Sequence, residues 1–239
     1  KFDGIEYTSY KSKFQDSTSI SSNRIKCSFI DSKNRLWVGT ENGLNLYDKD
    51  LNSFKRYHFS LNGLNNNEIL SLQEDNSNNL LIGSNGHGLF KLNLNTFEIS
   101  SVLNSEEQSQ QLFVNSLVLT QQGKIFAGTN LGLKEVDVHN NKLIPTRVFG
   151  QENHRISNSI ETLSLDKKNN LWIGSQNDKG VFKCELSSDR NNNILKVQNF
   201  NITPKKIMTI VQLKDSTMLV GTENAGLFHL ENNGAIIKN

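Results

Sequence analysis

Residues 35–48, RLWVGTENGLNLYD, run apolar to Gly39 and Thr40, turn polar at Glu41-Asn42, and resume apolar with Leu44, Leu46 and Tyr47. Two short strands joined by a tight turn give this pattern. Four altered copies follow. RLWVGT, NLLIGS, KIFAGT, NLWIGS and TMLVGT set equivalent glycines at Gly39, Gly83, Gly128, Gly174 and Gly221, at spacings of 44, 45, 46 and 47 residues. A period of about 45 residues is the length of one four-stranded propeller blade.

The register extends on both sides of each glycine. Upstream stand Ile25, Ile69, Val114, Ile160 and Ile207, and two positions later the small residues Cys27, Ser71, Ser116, Thr162 and Thr209. Three consecutive apolar residues precede the glycine in every copy, as in Leu36-Trp37-Val38, which suits a strand buried on both faces. A second glycine (Gly43, Gly88, Gly132, Gly180 or Gly226) opens the next strand, where a turn needs positive φ. The fourth strand is least regular and is read at FKRYHF, FEISSV, IPTRVF and LKVQNF, with GAIIKN as its fifth copy. Each unit is therefore a meander of strands a, b, c and d. One such sheet cannot bury both faces, and stacking copies around an axis does so. Strand a lies innermost, where converging blades leave room only for small side chains.

The fold expected is all-β, a β-propeller of four-stranded antiparallel blades in a single region over 1–239. The repeats span roughly 21–60, 64–102, 111–150, 156–200 and 204–239, with residues 1–20 read as the last strand of a preceding blade. That leading strand either pairs with the last a-b-c set and closes a five-bladed ring, or belongs to a longer array. The second arrangement is favoured, since strand d material stands at both termini.

Composition narrows function by exclusion. A net charge of +2 gives no bulk electrostatic case for nucleic acid or an anionic membrane. No run of 18 apolar residues could span a bilayer. No signal peptide is visible, and the chain reads as processed or as a piece of a longer one. Cys27 and Cys184 occupy non-equivalent repeat positions and read as packed residues, not as a disulfide or a reactive thiol. Trp37 and Trp172 read as packing between blades. The sequence carries no Walker loop, G-x-S-x-G, H-E-x-x-H or C-x-x-C, and its five histidines show no ligand spacing. No catalytic residue, metal site or cofactor is expected.

The pattern I-x-S-x-x-x-D-x-x-x-x-L-W-x-G-T-x-x-G-L, seen over Ile25 to Leu44 and again over Ile160 to Ser175, resembles the two-component regulator propeller repeat. Thr120 and Leu213 depart from it at the Asp31 position, where Asp75 and Asp166 keep a turn residue. The resemblance implies part of a seven-bladed ring in the extracytoplasmic sensor of a bacterial hybrid two-component protein. It implies a periplasmic location as part of an inner-membrane protein, and no catalysis by this chain, any kinase lying elsewhere. It also implies an oligosaccharide ligand, a homodimer formed through the full sensor, no nucleic-acid partner, and membrane contact only through segments outside the chain.

Loops on a rigid scaffold carry function. The b–c and d–a loops emerge on one side of a propeller, so the candidate ligand site is Glu41, Asn42, Asn85, His87, Asn130, Asn177, Asp178, Glu223 and Asn224 with Arg24, Glu68, Phe113 and Lys206. Amides, carboxylates, cations and one aromatic suit hydroxyl-rich or charged sugars. Two other functions compete: a propeller lyase using a histidine base, for which only His87 lies in a suitable loop, and a ring serving protein contacts or dimerisation.

Overall fold

A computed structural model describes residues 4, 6–58, 67–102, 111–148, 151–155, 159–176, 180–189, 191, 193–203 and 205–238, with backbone only at 147–148 and 151–155. The described residues form five sheets and no helix; four sheets are four-stranded and antiparallel, and the fifth adds two short strands to an antiparallel four. Blade 1 is β1 (Ile25–Ile30), β2 (Leu36–Thr40), β3 (Gly43–Asp48) and β4 (Ser53–Tyr57). Blade 2 is β5 (Ile69–Glu74), β6 (Asn79–Ser84), β7 (Leu89–Asn93) and β8 (Ile99–Ser101). Blade 3 is β9 (Val114–Leu119), β10 (Ile125–Thr129), β11 (Gly132–Asp137) and β12 (Lys142–Pro145). Two short strands, β13 (Arg147–Val148) and β14 (Gln151–Arg155), then precede blade 4, which is β15 (Ile160–Leu165), β16 (Leu171–Ser175), β17 (Val181–Leu186) and β18 (Ile194–Phe200). Blade 5 is β19 (Ile207–Gln212), β20 (Met218–Thr222), β21 (Leu227–Leu230) and β22 (Ile236–Lys238).

The innermost strands pack in series, β1 on β5, β5 on β9, β9 on β15 and β15 on β19. The apolar core lies between blades. Trp37, Leu44 and Tyr57 of blade 1 join Ile69, Ile82 and Leu92 of blade 2, and Trp172 and Val181 of blade 4 join Ile207, Val220 and Leu230 of blade 5. The strand b glycines make these seams close. A Cβ at Gly39 would stand 2.5 Å from Cys27 Sγ and 2.8 Å from Ile69 Cγ2 of the next blade. At Gly174 it would stand 2.6 Å from both Thr162 and Ile207. The apolar residue that starts each strand a is thus a plug, and the preceding blade's glycine is its socket. At Gly221 a Cβ would meet Thr209 alone, and Ile25, the plug of blade 1, is 50% exposed.

Two expectations are corrected. Among the described residues 4 and 6–20 no strand longer than a single bridge residue at Tyr7 forms, against the strand d expected there. Over the described part the chain lies along the outer strands of blade 1. Thr18 and Ser19 carbonyls accept from Phe54 N at 2.8 Å and Arg56 Nε at 2.8 Å, while Tyr10 and Ile20 pack with Val38, Phe54 and Tyr47. The described residues 6–10 do not pair with strand c of the last blade, because β21 has β20 on one edge and β22 on the other. The fourth strand of blade 3 is Lys142–Pro145, two residues before the segment expected. Arg147 and Val148 have by then crossed to blade 4, where Val148 pairs in parallel with Ile194.

Candidate functional site

The mouth formed by the b–c and d–a loops is built the same way in every blade. The first residue of each strand a pairs with the residue after the glycine, and the small residue two positions on pairs with the glycine itself, as in Ile25 with Thr40 and Cys27 with Gly39. One residue is left over as a β-bulge at all five positions: Lys26, Leu70, Asn115, Glu161 and Met208. The hydroxyl after each glycine then closes the turn. Thr40, Ser84, Thr129, Ser175 and Thr222 donate to the carbonyls of Gly43, Gly88, Gly132, Gly180 and Gly226 at 2.7–3.1 Å. These turn glycines have φ between 68° and 111°, a region in which a Cβ is strained.

The next residue ties the b–c loop to the d–a loop. The amides of Glu41, Asn85, Asn130, Gln176 and Glu223 donate to the carbonyls of Arg24, Glu68, Phe113, Ser159 and Lys206 at 2.9–3.2 Å. The two loop sets therefore share one rim, and the side chains at these ten positions are carried by fixed backbone.

On the rim of blades 1 and 2 the side chains form an alternating chain of charge. Arg24 Nη1 lies 2.9 Å from Glu41 Oε1, Lys26 Nζ lies 3.9 Å from the same oxygen and 2.6 Å from Glu68 Oε1, and Asn85 Nδ2 donates to Glu68. Burial alone would raise the Glu68 carboxyl. The hydrogen bonds from Lys26 and Asn85, with the Lys26 charge, outweigh burial and hold it below the usual carboxylate range. A second chain crosses blades 4 and 5. Lys206 Nζ lies 2.9 Å from Glu161 Oε1, Gln176 Nε2 donates to Glu161 Oε2 at 2.7 Å, and Ser159 Oγ donates to Gln176 at 2.8 Å.

The other expected site residues divide. Asn130 holds its own loop, accepting from Phe113 N at 2.9 Å and donating to Gln111 O at 3.0 Å. The Phe113 ring lies 3.5 Å from where a Gly86 Cβ would stand. His87 is part-buried, bridged to Leu112 through the backbone, and its Nε2 is buried without a hydrogen-bond partner. Asn42 and Asn224 are exposed at loop tips, and Asn224 has a φ of 64°. Asn177 and Asp178 lie outside the described residues. The bulge residues Lys26 and Glu161 were not among the expected set. Their signal was a position that changes from Lys to Leu, Asn, Glu and Met between copies while its neighbours stay constant. Among the described residues no group of three or more His, Cys, Asp or Glu is placed to hold a metal ion.

The two-component regulator propeller family model matches residues 19–42 and 63–86. These segments hold the end of the leader, strand a, the a–b turn and strand b of blade 1, and the same strands and turn of blade 2. Over 212 residues the chain is 31% identical to Histidine kinase P4 of Formosa agariphila, covering 87% of this chain and 14% of that protein. The extracellular domain of the hybrid two component system BT3049 from B. thetaiotaomicron superposes with a TM-score of 0.70 at 20% identity, over 92% of this chain and 28% of that one. A catalytically inactive virginiamycin B lyase from Staphylococcus aureus, solved with quinupristin, superposes at 0.68 and 10% identity, over 95% of this chain and 72% of that one. At such identities the two superpositions show the fold alone. The chain spans 14% of the kinase and 28% of the extracellular domain. Residues 19–42 and 63–86 are thus two-component regulator propeller repeats, and the three later blades repeat their strand order.

Proposed function

We propose that this chain is the non-catalytic, ligand-sensing propeller of a hybrid two-component signalling protein, held on the periplasmic side of the inner membrane, and that its mouth binds an oligosaccharide. The observation that carries the reading is the match to regulator propeller repeats, joined to similarity with a histidine kinase. The rim chemistry supports the ligand class. Arg24, Lys26, Glu41, Glu68 and Asn85 form an array in which positive and negative groups alternate. Such an array offers donors and acceptors at fixed spacing with little net charge, which suits hydroxyl-rich partners. In this reading the faces bearing Ile25 and Gly221 are covered by further blades of a larger ring, and the kinase acts from parts beyond this chain.

The lyase alternative requires a base beside a carboxylate or a metal. His87 supplies a buried nitrogen, but no carboxylate among the described residues is bonded to it. Calorimetric titration of the chain with neutral and uronic-acid oligosaccharides tests the sensing reading. Binding is expected, with an affinity about tenfold weaker in Glu68→Gln, which loses the charge that organises Lys26. Silence toward every oligosaccharide would remove the ligand class proposed.

A further inference from the structure

We propose that the open face of blade 5 takes the c–d turn of blade 1 from a second copy of this chain, and that His229 fastens the contact when its imidazole is protonated. Seams inside the chain are fastened at their c–d turns by a cation from the preceding blade. From blade 1, Arg35 Nη1 donates to Leu94 O of blade 2 at 3.2 Å. From blade 2, Lys91 Nζ donates to Val138 O of blade 3 at 3.4 Å. From blade 4, Lys183 Nζ donates to Asn232 O of blade 5 at 3.0 Å. The three carbonyls stand at one repeat position, five residues after Leu89, Leu133 and Leu227, and in blade 1 that position is Lys49. The donors come from two positions on the face toward the next blade: that of Arg35, just before strand b, and that of Lys91 and Lys183, opposite Leu81 and Trp172. In blade 5 these positions hold Thr217 and His229, the latter opposite Leu219. Val211 and Leu227 on the same face are exposed.

The hydrogen bonds around His229 make it a conditional donor. Thr217 Oγ1 donates to Asp215 Oδ1 at 2.6 Å and lies 2.6 Å from His229 Nε2. A hydroxyl has one hydrogen and an ionised carboxylate only accepts, so Nε2 must donate to Thr217. The neutral imidazole therefore carries its hydrogen on Nε2, and Nδ1 presents a lone pair, which a carbonyl oxygen repels. A proton added at Nδ1 creates the donor that Lys91 and Lys183 supply in their seams. Charge favours the same partner. Lys238 stands opposite His229 on β22, and Asp215 is the carboxylate beside it. The turn of blade 1 sets the Lys49 carbonyl between Asp48 and Asp50, and residues 49–52 are exposed. With His229 protonated, two cations and one carboxylate on blade 5 meet two carboxylates and one ammonium on the turn, so opposite net charges come together. With His229 neutral, the blade 5 group has no net charge and that attraction is lost.

The contact needs no ligand, and it stands or falls apart from the sensing role of the mouth. The test is sedimentation velocity of the full chain over a concentration series, at about pH 5.5 and about pH 7.5 and at one ionic strength, on the two sides of the range in which histidine changes charge. Association should set in at about tenfold lower concentration at the acid pH, the worth of one charge-assisted hydrogen bond. His229→Lys, which installs the residue of the equivalent positions in blades 2 and 4, should associate at both pH values as the parent does at the lower one. His229→Leu, which installs the residue of blade 1, should lose the pH difference. Thr217→Val releases Nε2, so the neutral ring can carry its hydrogen on Nδ1, and association at the higher pH should strengthen. Melting temperatures of all three should stay near the parent's, which separates loss of the contact from loss of the fold. A chain that stays monomeric at both pH values, equal association of the parent at both, a pH difference that survives in His229→Leu, or His229→Lys no stronger than the parent at the higher pH would each overturn the proposal.

Discussion

Asp31 and Asp166 each do two things with one carboxylate. One oxygen of Asp31 caps the a–b turn, accepting from the amides of Lys33 and Arg35 at 3.0 and 2.9 Å. The other accepts the indole N–H of Trp37 at 2.8 Å and Arg35 Nε at 2.7 Å. Asp166 repeats this arrangement with Trp172 at 3.0 Å. The turn role was legible from spacing and residue type. The indole bond was not, because it depends on a tryptophan six residues on folding back beside its own turn. In blade 2 the strand b residue is Leu81, and Asn79 Nδ2 takes the second oxygen of Asp75 at 2.8 Å. Asp31→Ala should therefore cost about 2–4 kcal/mol, leaving the buried Trp37 N–H without an acceptor and Arg35 without its carboxylate, and Asp75→Ala should cost less. Urea unfolding checks the order. Burial raises the Asp31 carboxyl, but its bonds to Trp37 and Arg35 prevail and hold it below its ordinary value. A carboxyl lowered in the folded state contributes stability that is present above its unfolded value, about 3.9, and lost as pH falls through the lower folded one. The parent's stability should thus fall below about pH 4 along an acid limb that is shallower in Asp31→Ala.

At the scale of elements, the strand b glycines separate what was readable from what was not. Their period, the strands around them and the second glycines of positive φ could all be read from the chain, because each follows from local backbone and alternation. Their purpose could not, since much of what fills the missing Cβ belongs to the next blade, as with Ile69 at Gly39 and Ile207 at Gly174, and a seam between blades leaves no local pattern. The same limit hid the shift of strand d in blade 3: an edge strand has one neighbour and a weak apolar pattern, so KLIP and IPTRVF read alike. It hid the leader too, whose aromatic residues would suit either a strand or a coil packed on Tyr47 and Phe54. At the mouth, the convergence of loops followed from topology, while Lys26 and Glu161 were missed because a bulge looks like noise in a repeat. The cysteines follow the same seam logic. Both are free, and burial pushes their thiols up to about 12, which suits packing and not nucleophilic chemistry. Gly39→Ala and Gly174→Ala should lower stability by about 1–3 kcal/mol or more, since both neighbours of the new methyl are locked in a seam. Gly221→Ala, which meets one threonine methyl at 2.8 Å, should cost distinctly less. Thermal melts of the three variants side by side read the difference.

At the scale of the whole molecule, one plug and one socket find no partner among the described residues. Ile25 is 50% exposed, whereas Ile69, Val114, Ile160 and Ile207 at the same place are fully buried. Leu227 is 56% exposed, whereas Leu44, Leu89, Leu133 and Val181 are at most 2% exposed. The leader covers the outer part of the first face through Tyr10 and Ile20 but does not reach Ile25. Two apolar faces of complementary shape, on a chain whose net charge of +2 provides little mutual repulsion, favour end-to-end association of the 239-residue chain at high concentration. Because the two faces differ, the contact is head to tail, and its product grows in steps without stopping at a dimer. Sedimentation velocity over a concentration series should show a weight-average size that rises continuously. Ile25→Thr and Leu227→Thr should each suppress the rise while leaving the melting temperature nearly unchanged, since both side chains already face solvent. A sharp monomer–dimer equilibrium, or association untouched by both substitutions, would place the contact on some other surface, with the blade edges and the c–d turns the next to test.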